Sequence, residues 1–88
     1  MRAEFRASFT RDLRRIRDRA LLQRVQETIE EVEAAESLLD IVHLKKLRPE
    51  GHYYRIRLGD YRIGLIIEGN LVSFVRYLHR NDIYRYFP

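Results

Sequence analysis

Residues Tyr53 to Arg62 read Y-Y-R-I-R-L-G-D-Y-R, and no other stretch constrains the chain so tightly. Apolar and aromatic side chains alternate with arginine, a Gly-Asp pair intervenes, and the alternation resumes. A period of two marks a half-buried strand, and Gly-Asp between two such runs marks a two-residue hairpin turn. The turn dictates the partners: Leu58 opposite Tyr61, Arg57 opposite Arg62, Ile56 opposite Ile63, Arg55 opposite Gly64. Directly paired residues share a face. One face therefore carries Tyr54, Ile56, Leu58, Tyr61, Ile63 and Leu65. The other carries Arg55, Arg57 and Arg62, with Gly64 leaving open space beside Arg55. Like charges set opposite one another destabilise a sheet, so this arginine face implies an anionic visitor.

The flanking segments supply the surfaces that the hairpin must pack against. Residues 2–7 read as a first strand, with Phe5 as its inward residue. Ser8 or Thr10 can cap a helix over residues 9–17, with Asp12 in its first turn, where a negative charge favours the macrodipole. In that helix Phe9, Leu13 and Ile16 recur at helical spacing. The phase breaks at Asp18 or Arg19, and a second helix runs from Arg19 to Glu36 on a stripe of Leu22, Val25, Ile29 and Val32, with Leu21 beside it. From Ser37 to Glu50 the signals mix: Leu38, Leu39, Ile41 and Val42 are apolar without clear period, and His43 to Gly51 reads as a loop in which Leu44 and Leu47 are pinned to the core. Tyr61 to Glu68 is a strand, Gly69-Asn70 a second tight turn, and Leu71 to Leu78 a further strand. Simple register places Tyr77 opposite Arg62 on the arginine face. It also puts Arg76 on the helix side, which requires that this strand end is peripheral, that Arg76 pairs with the acidic second helix, or that a bulge shifts the register. His79 to Asp82 leaves the sheet, and Ile83 to Pro88 is a short aromatic tail. The expected architecture is a single α+β domain spanning residues 1–88, ordered β-α-α-β-β-β. Its last three strands form an antiparallel meander, and a helical hairpin lies on one face.

Size and composition close off alternatives. At 88 residues, one modest core is possible and a second is not. No apolar run approaches the roughly 20 residues of a membrane span, and no signal-peptide core follows Met1. Without cysteine there is no disulfide framework, thiolate nucleophile or cysteine metal site. A cytoplasmic protein is the plain expectation. The net charge is +4, and it is unevenly spread. Residues 25–40 carry Glu27, Glu30, Glu31, Glu33, Glu36 and Asp40 with no Lys or Arg, whereas the strand-forming half is basic. A polyanion is the fitting partner for one surface.

The chemistry narrows further. No glycine-rich phosphate loop, H-E-x-x-H or Gly-x-Ser-x-Gly elbow is present. His43, His52 and His79 lack metal-ligand spacing, so neither a metal nor another cofactor is expected. Guanidinium groups bind phosphate through paired donors at any relevant pH. Lys45, Lys46 and Arg48 add charge. Tyr53, Tyr54, Tyr77 and Tyr84 can stack on unpaired bases. If a phosphodiester is cut without metal, RNA is the natural substrate, because its 2′-hydroxyl supplies an internal nucleophile. Arginine stabilises the charge but cannot move the protons. Acid and base are to be sought among His79, Tyr84, Asp82, Lys45 and Lys46, of which His79 is the residue type suited to proton transfer near neutrality.

The run from Leu44 to Tyr84, above all Y-R-I-R-L-G-D-Y-R-I and the closing H-R-N-D-I-Y, resembles the RelE/ParE superfamily of type II toxin–antitoxin toxins. The helical segment before it fits the same family, so the likeness covers nearly the whole chain. The resemblance implies a toxin of RelE type, an mRNA interferase that enters the ribosomal A site and cleaves mRNA there without metal. Its partners would be mRNA, small-subunit ribosomal RNA and a cognate antitoxin, with no membrane and no small-molecule cofactor. The family's functional positions fall on Arg55, Arg57, Arg62, Arg80 and Tyr84. Some members have lysine at the two strand positions, one proposed as the base. With arginine there, His79 or Tyr84 must take that role, or catalysis leans on charge stabilisation and on alignment by the ribosome. The resemblance leaves two alternatives, a ParE-type inhibitor of DNA gyrase and a catalytically inactive RNA-binding relative. It also implies an antitoxin segment that masks the arginine face or displaces the tail carrying Tyr84.

Overall fold

The hairpin register holds residue for residue. In the computed structural model, which describes all 88 residues, β3 (Tyr53–Leu58) and β4 (Tyr61–Glu68) pair antiparallel with Arg57 opposite Arg62 and Arg55 opposite Gly64. Gly59 takes φ 57° in the turn, a backbone region that costs glycine nothing. β5 (Leu71–His79) continues the meander, and β1 (Arg2–Phe5) lies parallel to it. A further strand, β2 (Leu44–Lys46), pairs antiparallel with β3 inside the segment expected to be a loop. The sheet order is β1-β5-β4-β3-β2. β2 is three residues long, too short for its alternation to register in the sequence. Leu44 is half-buried against the core, as expected of a pinned loop residue.

The helices are α1 (Ala7–Arg14), α2 (Arg19–Ala34) and α3 (Ile83–Tyr86), with a single 3-10 turn at Leu38–Asp40. α1 and α2 cover the face carrying Ile56, Ile63 and Leu65, and Phe9, Val25 and Val32 are buried against it. Asp18 caps α2 by accepting from the backbone N–H of Ala20 at 2.8 Å, which satisfies a free helix donor. At its other end, α2 has no basic residue in its last turn. The α-amino group of Met1 donates instead to the carbonyls of Glu33 (2.9 Å) and Ala35 (2.8 Å), a positive charge where the macrodipole favours one.

α1 departs from expectation. It begins two residues earlier, is N-capped by Arg6 without a side-chain hydrogen bond, and ends at Arg14, leaving Ile16 in the connection but still against the core. The reason lies at the edge of β5. β1 stops at Phe5, opposite Phe74, whereas β5 runs on to His79. α1 supplies the missing partners. The Ser8 hydroxyl donates to the Val75 carbonyl at 2.6 Å, and the Asp12 carboxylate accepts from the Tyr77 N–H at 3.0 Å. Ser8 and Asp12 therefore finish a sheet edge rather than cap or charge a helix end. Phe5, expected inward, is 48% exposed, although its ring stacks on Phe74 with centroids 5.2 Å apart.

Asp12 also resolves Arg76. Between Leu65↔Phe74 and Gly64↔Arg76 the β4–β5 register slips, leaving Val75 as an extra residue. Such a bulge re-aims the side chains beyond it. Arg76 is held by Asp12, Nε to Oδ2 at 2.7 Å. Tyr77 falls opposite Ile63 instead of Arg62, on the helix side, where it is 3% exposed. Its place on the arginine face goes to Leu78.

The other face is not bare either. Gly64 shares the face of Arg55, and a Cβ built there would lie 2.7 Å from the Phe87 ring. The expected open space is filled by the C-terminal tail. Ile83 at the start of α3 and Phe87 just beyond its end are buried, while Tyr84 and Tyr86 face outward. The Phe87 ring meets Tyr53 edge-on at 5.8 Å. The helical hairpin thus covers one face, and the tail covers the middle of the other.

Candidate functional site

The arginine face stays open only at its end nearest the β3–β4 turn. There Arg57 and Arg62 sit side by side by strand pairing. The Arg80 backbone N–H donates to the Asp60 carbonyl at 2.8 Å, which ties the end of β5 to the turn and brings Arg80 alongside. From the opposite layer, Arg24 of α2 reaches the same turn, with Nη1 3.3 Å from where a Cβ of Gly59 would stand. Together with His43 and Asp60, these four arginines line a cavity of about 460 Å³ that no apolar side chain enters. The only ion pairs in the molecule are Arg6–Glu4 and Arg76–Asp12, so none of the four guanidinium groups is neutralised by a carboxylate.

The guanidinium groups are oriented by the backbone. Arg62 Nη1 donates to the carbonyls of Gly59 (2.8 Å) and Tyr61 (2.9 Å). Arg57 Nη2 lies 3.3 Å from His43 Nδ1, and Arg55 Nη1 donates to the His43 carbonyl at 2.6 Å. Arg55 Nε is buried without a partner. Arg55 therefore does not line the pit with Arg57 and Arg62. From its place opposite Gly64 it holds the backbone of His43. A second, smaller cavity of about 220 Å³ opens between α2 and β3, beside Glu27 and Glu31, and shares Arg24, His43 and Arg57 with the first.

The remaining candidates scatter. His79 is opposite Tyr61, its ring edge-on to that phenol at 5.6 Å, and its Nδ1 accepts from the Asn81 N–H at 3.2 Å. It lines neither cavity. Tyr84 is 62% exposed on α3, outside both. Lys45 pairs with Arg55 and extends the basic face outward. Lys46 lies 5.9 Å above the Tyr54 ring, and Arg48 stands at the same distance from Tyr53. Tyr77 is no base-stacking residue. It is stacked on Tyr61 at 4.8 Å, and burial first, then the neighbouring Tyr61, pushes its phenol up to about 12. No cluster of three His, Asp or Glu side chains is placed to hold a metal ion.

Besides the turn residue Asp60, two pit residues escape sequence reasoning, Arg24 and His43. Arg24 comes from a helix whose docking register cannot be read locally. His43 had a signal. Pairing Leu44 with Ile56 puts residue 43 beside Arg57, but only once L-K-K is recognised as a strand.

Comparison with known proteins places this arrangement. Residues 3–84 match the family described as ParE toxin of type II toxin-antitoxin system, parDE. Toxin RelE3 of Methanocaldococcus jannaschii is 39% identical over 89 aligned residues, spanning the whole of both chains. The toxin in the RelB-RelE antitoxin-toxin complex from Methanococcus jannaschii superposes with a TM-score of 0.79 at 38% identity, covering 96% of this chain and 98% of that one. The RelBE2 toxin-antitoxin complex from Mycobacterium tuberculosis gives 0.72 at 27% identity, over 90% and 96%. An α+β sheet with this helical hairpin, matched along nearly its whole length, makes the chain a member of the RelE/ParE superfamily of type II toxin–antitoxin toxins.

Proposed function

We propose that this toxin is a RelE-type endoribonuclease that cleaves mRNA on the ribosome, with the scissile phosphate seated in the pit of Arg24, Arg57, Arg62 and Arg80. The observation that carries this reading is that four arginines, none paired to a carboxylate, line one wholly polar cavity. Unrelieved like charge is costly in the free protein and is offset when a phosphate arrives. As the 2′-oxygen attacks, charge grows on the phosphoryl oxygens, and fixed guanidinium donors stabilise it more than they stabilise the resting diester. The ribosome holds the mRNA in line, which a shallow basic pit on a small protein does not do alone. On this reading the chain acts in the cytoplasm, its partners are mRNA and small-subunit RNA, and a cognate antitoxin silences it by covering the pit.

Mapping mRNA 5′ ends in cells expressing the wild type, Arg62→Ala or Arg80→Ala tests this. Ribosome-dependent cuts that disappear in both variants support the assignment. The family match to ParE toxins favours a second reading, inhibition of DNA gyrase. Growth arrest with intact mRNA and lost supercoiling activity would move the assignment there.

A further inference from the structure

We propose that His43 is the base that takes the proton from the ribose 2′-hydroxyl. This rests on the reading of the arginine pit as an RNA-cleaving site and names the proton acceptor that four arginines cannot provide. His43 is the one histidine lining the pit, and it stands where the pit meets the cleft under α2. It is exposed, so a substrate reaches it without rearrangement of the core.

Its backbone is specially made. His43 is the single non-glycine residue with positive φ, at 62°, a strained setting that persists where the surroundings over-determine it. They do so here. The His43 carbonyl accepts from Arg55 Nη1 at 2.6 Å and from the Arg57 N–H at 3.3 Å. That clamp gives the half-buried Arg55 a positioning task away from the phosphate.

The ring is poised by Arg57. Guanidinium nitrogen only donates, so His43 Nδ1, 3.3 Å from Arg57 Nη2, presents its lone pair and the neutral ring carries its proton on Nε2. A phosphate in the pit draws the Arg57 guanidinium to itself and frees Nδ1 beside the sugar. The 2′-O–H bond then breaks with its proton passing to Nδ1, and the 2′-oxygen bonds to phosphorus as the P–O5′ bond breaks. The 5′-oxygen takes a proton from water, and the imidazolium returns its proton to the hydroxide left behind. The ends are a 2′,3′-cyclic phosphate and a 5′-hydroxyl.

Charged side chains approach His43 from several elements. α2 contributes Arg24, Glu27 and Glu31, and β3 contributes Arg55 and Arg57. The rest of the pit adds Asp60, Arg62 and Arg80. His79, the other proton carrier considered, faces Tyr61 away from the pit, with Nδ1 occupied by the Asn81 N–H.

The test is single-turnover cleavage on programmed ribosomes by the wild type, His43→Asn and Arg62→Ala, across pH. Asparagine accepts the left-handed backbone, and equal thermal melting verifies the fold. The expected result is a loss of about 100-fold or more in rate for His43→Asn, with ribosome binding retained. The pH profile of the rate should differ between the wild type and His43→Asn. A His43→Asn variant that cleaves within a few-fold of wild type, while Arg62→Ala is dead, overturns the His43 assignment and leaves the ribonuclease reading standing. If neither substitution changes cleavage, or the wild type does not cleave, the ribonuclease reading fails and the assignment falls with it.

Discussion

One carboxylate, that of Asp12, accepts from both Arg76 Nε at 2.7 Å and the Tyr77 backbone N–H at 3.0 Å. Asp12 is 4% exposed, and it joins α1 to β5 where β1 has ended. Replacing it with alanine strands a guanidinium and an amide together. Removing one partner of a buried ion pair costs about 3 kcal/mol or more, and in a chain this short that lowers Tm by at least roughly 10 °C. Asp12→Asn, which keeps an oxygen for Tyr77, should lose less. Thermal and urea denaturation of both variants measure the difference.

Gly64 and Phe87 form a second long-range lock. A methyl group at residue 64 would press on the Phe87 ring at 2.7–2.9 Å, so Gly64→Ala must lift the tail. We expect a loss of about 1–3 kcal/mol and faster proteolysis of the residues after Ile83. In a Phe87→Ala background the added methyl meets vacated space and the same substitution should cost little. The double-mutant cycle therefore reads the contact directly. An additive cycle would mean that the tail does not rest on Gly64.

Tyr77 sets an alkaline limit. Its phenol has the ordinary pKa of 10.0 in the unfolded chain and about 12 in the folded one, raised by burial and by Tyr61 and opposed by Arg24. The folded value is the higher, so the folded state holds the proton longer. Below pH 10 both states are protonated and the group changes nothing. From pH 10 to about 12 the unfolded chain releases its proton while the folded one does not, and stability falls. A spectrophotometric titration should show one late tyrosine, absent in Tyr77→Phe. That variant should also lose less stability than the wild type between those pH values.

The parts of the fold that were legible in the sequence are the local ones. The β3–β4 register follows from two turn residues, and α2 follows from its apolar stripe and from Asp18. Contacts between distant segments could not be read: Asp12 with Arg76, Phe87 over Gly64, His43 against Arg57. Each depends on a displacement with no local signature. One extra residue at Val75 moved Tyr77 to the opposite face, and a three-residue strand carried His43 into the site. The candidate site was half legible for the same reason. Arg57, Arg62 and Arg80 cluster around one turn, whereas Arg24 arrives from another layer.

That last difference is testable without any assumption about cleavage. Strand alternation makes Arg55, Arg57 and Arg62 equivalent phosphate ligands, but the structure replaces Arg55 with Arg24. For a single-stranded RNA oligonucleotide, each arginine that neutralises a phosphate contributes about 0.7 to the slope of log affinity against log salt concentration. Arg24→Ala and Arg62→Ala should each flatten that slope by about 0.7, measured by fluorescence anisotropy. Arg55→Ala should leave it unchanged, because the Arg55 side chain is turned to the His43 carbonyl. The opposite ordering, with Arg55 essential and Arg24 silent, would place the RNA on the flat strand face instead. The tail would then have to lift from Gly64 before binding, and the Phe87→Ala variant would bind RNA more tightly than the wild type.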